Sequence, residues 1–283
     1  EIPLRLVGSE MCIRDSCIGG GKTFMEYMEE MTKAFQYEKK LSEYCISHGT
    51  SKVSCVIAAG EEVLSGYTFP IVPYLIFEMA TGDIRQKLQY SNALDFAWKL
   101  KSLHDIAVGI KQLHSINVSH QDIKPSNVLL FNTESKIGDL GRSMCPTLHG
   151  PYDEMPFSGD NTYAPPEVWF NSHIHLEWHE RNYAIDCYLL GSLITYYITG
   201  LCMTALLQAE INLTWRGRNM DKLKEYLQLA FCNILENIEK HIPFESLKKE
   251  LIEIIGYLCN PDPIKRGHPK NIKAKGNNYS LER

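Results

Sequence analysis

The stretch Ser119-His120-Gln121-Asp122-Ile123-Lys124-Pro125-Ser126-Asn127 runs into the apolar Val128-Leu129-Leu130-Phe131, and eight residues later comes Asp139-Leu140-Gly141. These residue types at these spacings suit phosphoryl transfer from a nucleoside triphosphate. In that reaction the protein mainly positions a nucleophile and neutralises phosphate charge. Asp122 suits the acceptor of a hydroxyl proton, Lys124 a cation directed at the transferred phosphate, and Asn127 and Asp139 oxygen donors for Mg2+. Singly, each has a plainer reading: Asp122 as a turn residue, Asn127 as a cap, Asp139-Leu140-Gly141 as an ordinary loop. The spacing argues for the set, because the apolar run between Asn127 and Asp139 fits a short strand pair that would bring both metal donors together.

These loops need elements to hold them. Thr23 to Ser47 is rich in Glu, Lys, Met and Leu and lacks Pro and Gly, which predicts a helix carrying Glu38. Two apolar runs, Val53 to Ala58 and Ile71 to Phe77, read as strands separated by the turn-rich Gly60 to Pro70. Leu103, Ile106, Ile110 and Leu113 recur at three and four, so an amphipathic helix between Leu94 and His114 delivers the chain to the His120 loop. Helical periodicity returns at Leu223, Leu227, Phe231, Ile234 and Ile238, and at Leu247, Leu251, Ile254 and Leu258. A small strand-and-helix part before a larger helical part predicts an α+β, two-lobed plan.

With 283 residues, 44% apolar and 22% charged, the composition is that of a globular chain of one or two domains. A net charge of −5 offers no basic patch for nucleic acid or an anionic membrane surface, so neither is expected as a partner. Nine cysteines without a CxxC pair indicate neither a disulfide framework nor a thiolate zinc site, and suit a reducing cytoplasm. Tyr188 to Leu207 carries no charge for twenty residues, long enough to cross a bilayer. Its glycines, threonines and tyrosines favour a fully buried helix of a soluble lobe instead.

The motifs resemble the eukaryotic-type protein kinase superfamily between Met31 and His268. Beyond the Asp122, Lys124, Asn127 and Asp139 set, Ala164-Pro165-Pro166-Glu167 resembles the family's Ala-Pro-Glu motif, whose Glu pairs with a late arginine, here Arg266. Asp186-Cys187-Tyr188-Leu189-Leu190-Gly191 resembles the start of the family's buried central helix, with Asp186 binding the catalytic-loop backbone. Leu75-Ile76-Phe77-Glu78-Met79-Ala80 looks like the strand and hinge that receive adenine; Phe77 would guard the back pocket, and Glu78 and Ala80 would offer backbone hydrogen bonds. The resemblance implies a bilobal fold, ATP and Mg2+ as cofactors, a protein hydroxyl as substrate, a serine/threonine preference from Lys124, and structural roles for His120 and Gly141. It assigns no oligomeric state. A kinase-fold binding or scaffold protein and a small-molecule phosphotransferase are the alternatives; the Glu167 and Arg266 pair counts against the second.

The pattern also departs from the family. No Gly-x-Gly-x-x-Gly loop precedes a Val-Ala-x-Lys strand; Leu6 to Ser16 resembles translated adaptor sequence, and the chain reads as a fragment from about Cys17. Residues 17–79 would be a partial N-lobe and 80–283 the C-lobe, with the far end entering a helix. Gly19-Gly20-Gly21-Lys22-Thr23 lacks the first glycine of a P-loop, and Lys22 is a doubtful partner for Glu38. Gln121 replaces an arginine that in many members pairs with an activation-segment phosphate, and Asp160 stands where a Thr is usual. Extra residues fall at 171–181, read as a surface insert in preference to a helix face on which His175 and His179 would be metal ligands, and at 206–242, a partner surface or packing.

Overall fold

A computed structural model describes residues 4–6, 23–63, 65, 71–90, 95–172, 175–211, 223–274 and 278–282. The P-loop-like run, Lys22 and most of the adaptor-like stretch lie outside the described residues, although Leu4–Leu6 form a strand, β1. Helix α1 (Phe24–Ser47) starts where its sequence says it should. Thr23 caps it in a capping box: its Oγ1 accepts from the Glu26 N–H, and Glu26 accepts from the Thr23 N–H at 2.7 Å. Tyr37, Glu38, Leu41, Ser42 and Cys45 are buried, a single stripe at helical spacing.

Strands β2 (Val56–Val63) and β3 (Ile71–Phe77) pair antiparallel, with β1 on the other edge of β3. The β2 strand begins three residues later than Val53 and runs on through Gly60, so the turn-rich stretch is shorter than its Gly and Glu content suggests. Cross-strand pairing with β3 as far as Val63↔Ile71 overrides local propensity. A second sheet joins β4 (Gly82–Asp83), β5 (Val128–Phe131) and β6 (Glu134–Ile137), with β5 central. Helices α2 (Ile84–Tyr90) and α3 (Phe96–Ser115) follow β4, and Ile106, Ile110 and Leu113 are wholly buried along α3.

After the loops come α4 (Pro166–Trp169), α5 (Trp178–Thr199), α6 (Met203–Glu210), α7 (Lys224–Glu239), α8 (Glu245–Leu258) and α9 (Pro269–Lys273). Helix α5 is the core of the larger lobe, buried almost continuously from Asn182 to Thr195. It corrects two expectations. Asp186 lies two turns inside the helix, not at its start, because the extra residues fold into its first turns. The uncharged run is also two helices, α5 and α6, bent by 83° after Gly200, whose φ of 78° suits glycine. No single described helix is long and apolar enough to cross a membrane. Residues 278–282 form a turn and irregular backbone instead of a helix: Tyr279 is buried, with its hydroxyl donating to the Pro263 carbonyl.

Candidate active site

The catalytic loop hangs from α5. Asp186, fully buried, accepts from the backbone N–H groups of His120 and Gln121, each at 2.8 Å, from Ser119 Oγ at 2.8 Å and from His114 Nε2 at 2.9 Å. Burial pushes its carboxyl up, but the His114 bond and charge and the Gln121 N–H outweigh this and hold it below the usual range. A carboxylate with this many donors is a rigid anchor, which is the role the sequence assigned to it. His120, also buried, spans the site. Its Nε2–H donates to the Gly138 carbonyl (3.0 Å) and its Nδ1 accepts from the Asp122 N–H (3.3 Å), tying the loop to the residue before Asp139.

Asp122 is held from three sides. Asn127 Nδ2 donates to its Oδ2 at 3.1 Å and to its carbonyl at 2.8 Å, the Asp160 N–H donates to Oδ1 at 3.0 Å, and Lys124 Nζ lies 3.0 Å from Oδ2. Lys124 also reaches Asp160 Oδ2 at 3.3 Å. Asp160 thus bonds Asp122 through its backbone N–H and Lys124 through its carboxylate. Burial pushes its carboxyl up, and bonds from Thr162 together with the Lys124 charge bring it net below the usual range.

The strand pair brings Asn127 and the Asp139 turn together as the spacing implied. The register Val128↔Ile137 and a bond from the Gly138 N–H to the Asn127 carbonyl (2.8 Å) set Asn127 beside the residue that precedes Asp139. With Nδ2 spent on Asp122, the Asn127 amide keeps its oxygen, a hard donor, which accepts from Ser126 Oγ at 3.4 Å. One amide oxygen and one carboxylate fit Mg2+ that completes its shell with phosphate oxygens and water. Asp139 adopts the left-handed conformation, φ 65°, as does Gln121, φ 65°; non-glycine residues held there mark strain of a kind that gathers at functional sites.

Glu38 reaches this turn from α1. A Cβ on Gly141 would lie 3.3 Å from Glu38 Oε2 and 3.4 Å from Asp139 Oδ1, so Gly141 admits both carboxylates where a side chain would crowd them. Tyr37, not singled out by sequence, seals the same corner, its hydroxyl donating to the Ser143 carbonyl at 2.7 Å. Its signal was available: it shares the buried stripe with Glu38. Phe77 ends β3. Glu78, exposed, pairs with Lys136 at 2.6 Å, and Ala80 precedes Thr81, whose N–H bonds the Leu130 carbonyl at 2.7 Å. All three lie at the junction of the two sheets.

Glu167 and Arg266 form a bidentate pair at 2.5 and 2.6 Å, both buried, and Arg266 also donates to the Ala184 and Asn260 carbonyls. The two histidines are not brought together. His175 lies in the turn before α5, His179 bonds Asn117 Oδ1 at 3.1 Å, and no metal-binding cluster of His, Cys, Asp or Glu occurs among the described residues.

Comparisons with known proteins agree with this geometry. The model of the protein kinase domain matches residues 70–276. The chain is 27% identical over 129 residues to an Aurora kinase of Debaryomyces hansenii, covering 45% of this chain and 30% of that protein. It is 31% identical over 127 residues to mitogen-activated protein kinase 5 of Arabidopsis thaliana (44% and 32%), and 29% identical over 200 residues to a Wee1-like protein kinase of Oryza sativa (70% and 32%). The matched region spans about a third of the length of these relatives. With its Asp122 loop hung from α5 and its buried Glu167 and Arg266 pair, the chain belongs to the protein kinase domain family.

Proposed function

We propose that this domain is an ATP- and Mg2+-dependent protein serine/threonine kinase. The observation that carries the reading is the hold on Asp122, whose carboxylate is fixed by Asn127, Lys124 and the Asp160 N–H, while the Gly138 N–H bond to the Asn127 carbonyl sets Asn127 beside the Asp139 turn. Bound Mg2+–ATP supplies the γ-phosphoryl group and the charge neutralisation for its transfer. Asp122 orients a substrate hydroxyl and takes its proton as the oxygen bonds to phosphorus and the bond to the ADP oxygen breaks. Lys124 lies beside Asp122, where it faces the charge developing on the transferred group. Asn127 and Asp139 hold the cation, and Glu38 braces the Asp139 turn. Lys124 two residues after Asp122 fits the serine/threonine pattern, and the Aurora and mitogen-activated relatives carry kinase names.

The test is Mg2+-dependent transfer from labelled ATP to a mixed serine/threonine peptide library, run on the full chain beside Asp139→Asn. Asp139→Asn should lower transfer by about 100-fold or more, as expected for loss of one preorganised charge contact. Nucleotide binding with no transfer, in the chain restored with a Gly-x-Gly-x-x-Gly loop and strand lysine, would overturn the reading in favour of a kinase-fold binding protein.

A further inference from the structure

The segment between Asp139 and Glu167 is closed on itself by one residue. Arg142 Nη1 donates to the carbonyls of Ser158 (2.8 Å) and Gly159 (3.2 Å), and Ser158 Oγ donates back to the Arg142 carbonyl at 2.6 Å. Three hydrogen bonds thus join position 142, directly after the metal-donor turn, to positions 158 and 159, directly before Asp160. The guanidinium head suits this, since its donors are fixed in a plane.

The far side of the clamp is equally tight. Ser158 and Phe157 are buried, and a Cβ on Gly159 would lie 2.1 Å from the Gln121 carbonyl oxygen. Gln121 is wholly buried, its amide nitrogen used on Ser119 Oγ and the Asn182 carbonyl. A neutral amide at that position has no charge with which to hold an anionic group on the segment. The main chain is instead fixed by Arg142 from one side and by contact with Gln121 from the other, and the next residue is Asp160, whose N–H and carboxylate hold Asp122 and Lys124.

We propose that Arg142 is a positioning residue for phosphotransfer: through the Ser158 and Gly159 carbonyls it sets Asp160, and through Asp160 the Asp122 and Lys124 pair, so that the segment takes its working position without a phosphate of its own. The proposal rests on the phosphotransfer reading, so its test carries an arm that does not.

In the full chain, hydrogen exchange at the Asp160 amide is compared between wild type, Arg142→Ala, Arg142→Lys and Ser158→Ala. Arg142 is exposed, so folding should survive its replacement. The Asp160 amide should exchange faster in Arg142→Ala, with melting temperature little changed. Its kcat should fall by about 10- to 100-fold as the acceptor carboxylate loses its alignment, with KM for ATP unmoved. Arg142→Lys should recover part of the loss, Ser158→Ala should show a smaller one, and phosphatase treatment of the wild type should leave its rate unchanged. Equal amide exchange in wild type and Arg142→Ala overturns the proposal, as does faster exchange with unaltered kcat or a rate abolished by phosphatase. If the wild type transfers no phosphate, the exchange comparison still decides whether Arg142 sets Asp160.

Discussion

Gly159 shows how closely the catalytic loop and the segment opposite it are fitted. An added methyl would stand 2.1 Å from the Gln121 carbonyl oxygen and 2.5 Å from Phe157 Cζ, so in Gly159→Ala the backbone before Asp160 must shift. A displacement of about 1 Å near the reacting groups can cost about 100-fold in rate, and Gly159→Ala should lose about that much kcat while retaining its fold, checked by steady-state kinetics beside a melting curve. Glu167 and Arg266 make the opposite kind of demand. Removing one member leaves a buried charge uncompensated, so Glu167→Ala should lose about 3–5 kcal/mol, read from denaturant unfolding. Asp122, Lys124, Asn127 and Asp139 were legible from spacing because a short loop and a two-strand ladder leave few ways to arrange them. Arg142 was not, since its partners are backbone carbonyls sixteen and seventeen positions away, which no side-chain pattern records.

Helix α5 and the loop it carries form one unit, and the unit should answer to acid. The Asp186 carboxyl lies below its unfolded value, so the stability it contributes is full above the ordinary aspartate pKa of about 3.9 and is lost as pH falls through the folded-state value. Guanidinium midpoints at pH 7 and pH 3 should therefore show wild type well above Asp186→Asn at pH 7, and the gap narrowing at pH 3. The amphipathic helices α1, α3, α7 and α8 were readable to within two residues, because each has a polar face and a buried stripe. Helix α5 was harder to bound. Buried on nearly all sides, it has no periodicity to mark its start, and its end depends on a left-handed Gly200 that composition does not single out within an uncharged run.

The two parts of the molecule meet around Lys52, in the connection between α1 and β2. Its ammonium bridges Asp105 (3.0 Å) and Glu134 (2.6 Å), its N–H bonds Gln112 Oε1, and its carbonyl accepts from the Ile137 N–H. Lys52→Met should cost only about 1 kcal/mol, since the group is partly solvated and Asp105 and Glu134 keep Lys101 and Lys136 as partners; thermal unfolding of the purified variant checks this. The two-lobed plan was legible from the order of strands and helices, whereas this junction was not, because its members are scattered over more than eighty positions. Glu167 and Arg266, 99 residues apart, impose an order of events on folding. Neither charge can enter the interior alone, so the stretch leading into α4 cannot settle until the chain past α8 has arrived. Settling that corner of the larger lobe therefore waits on a closure over 99 residues, which is slow, as loop closure over long separations requires.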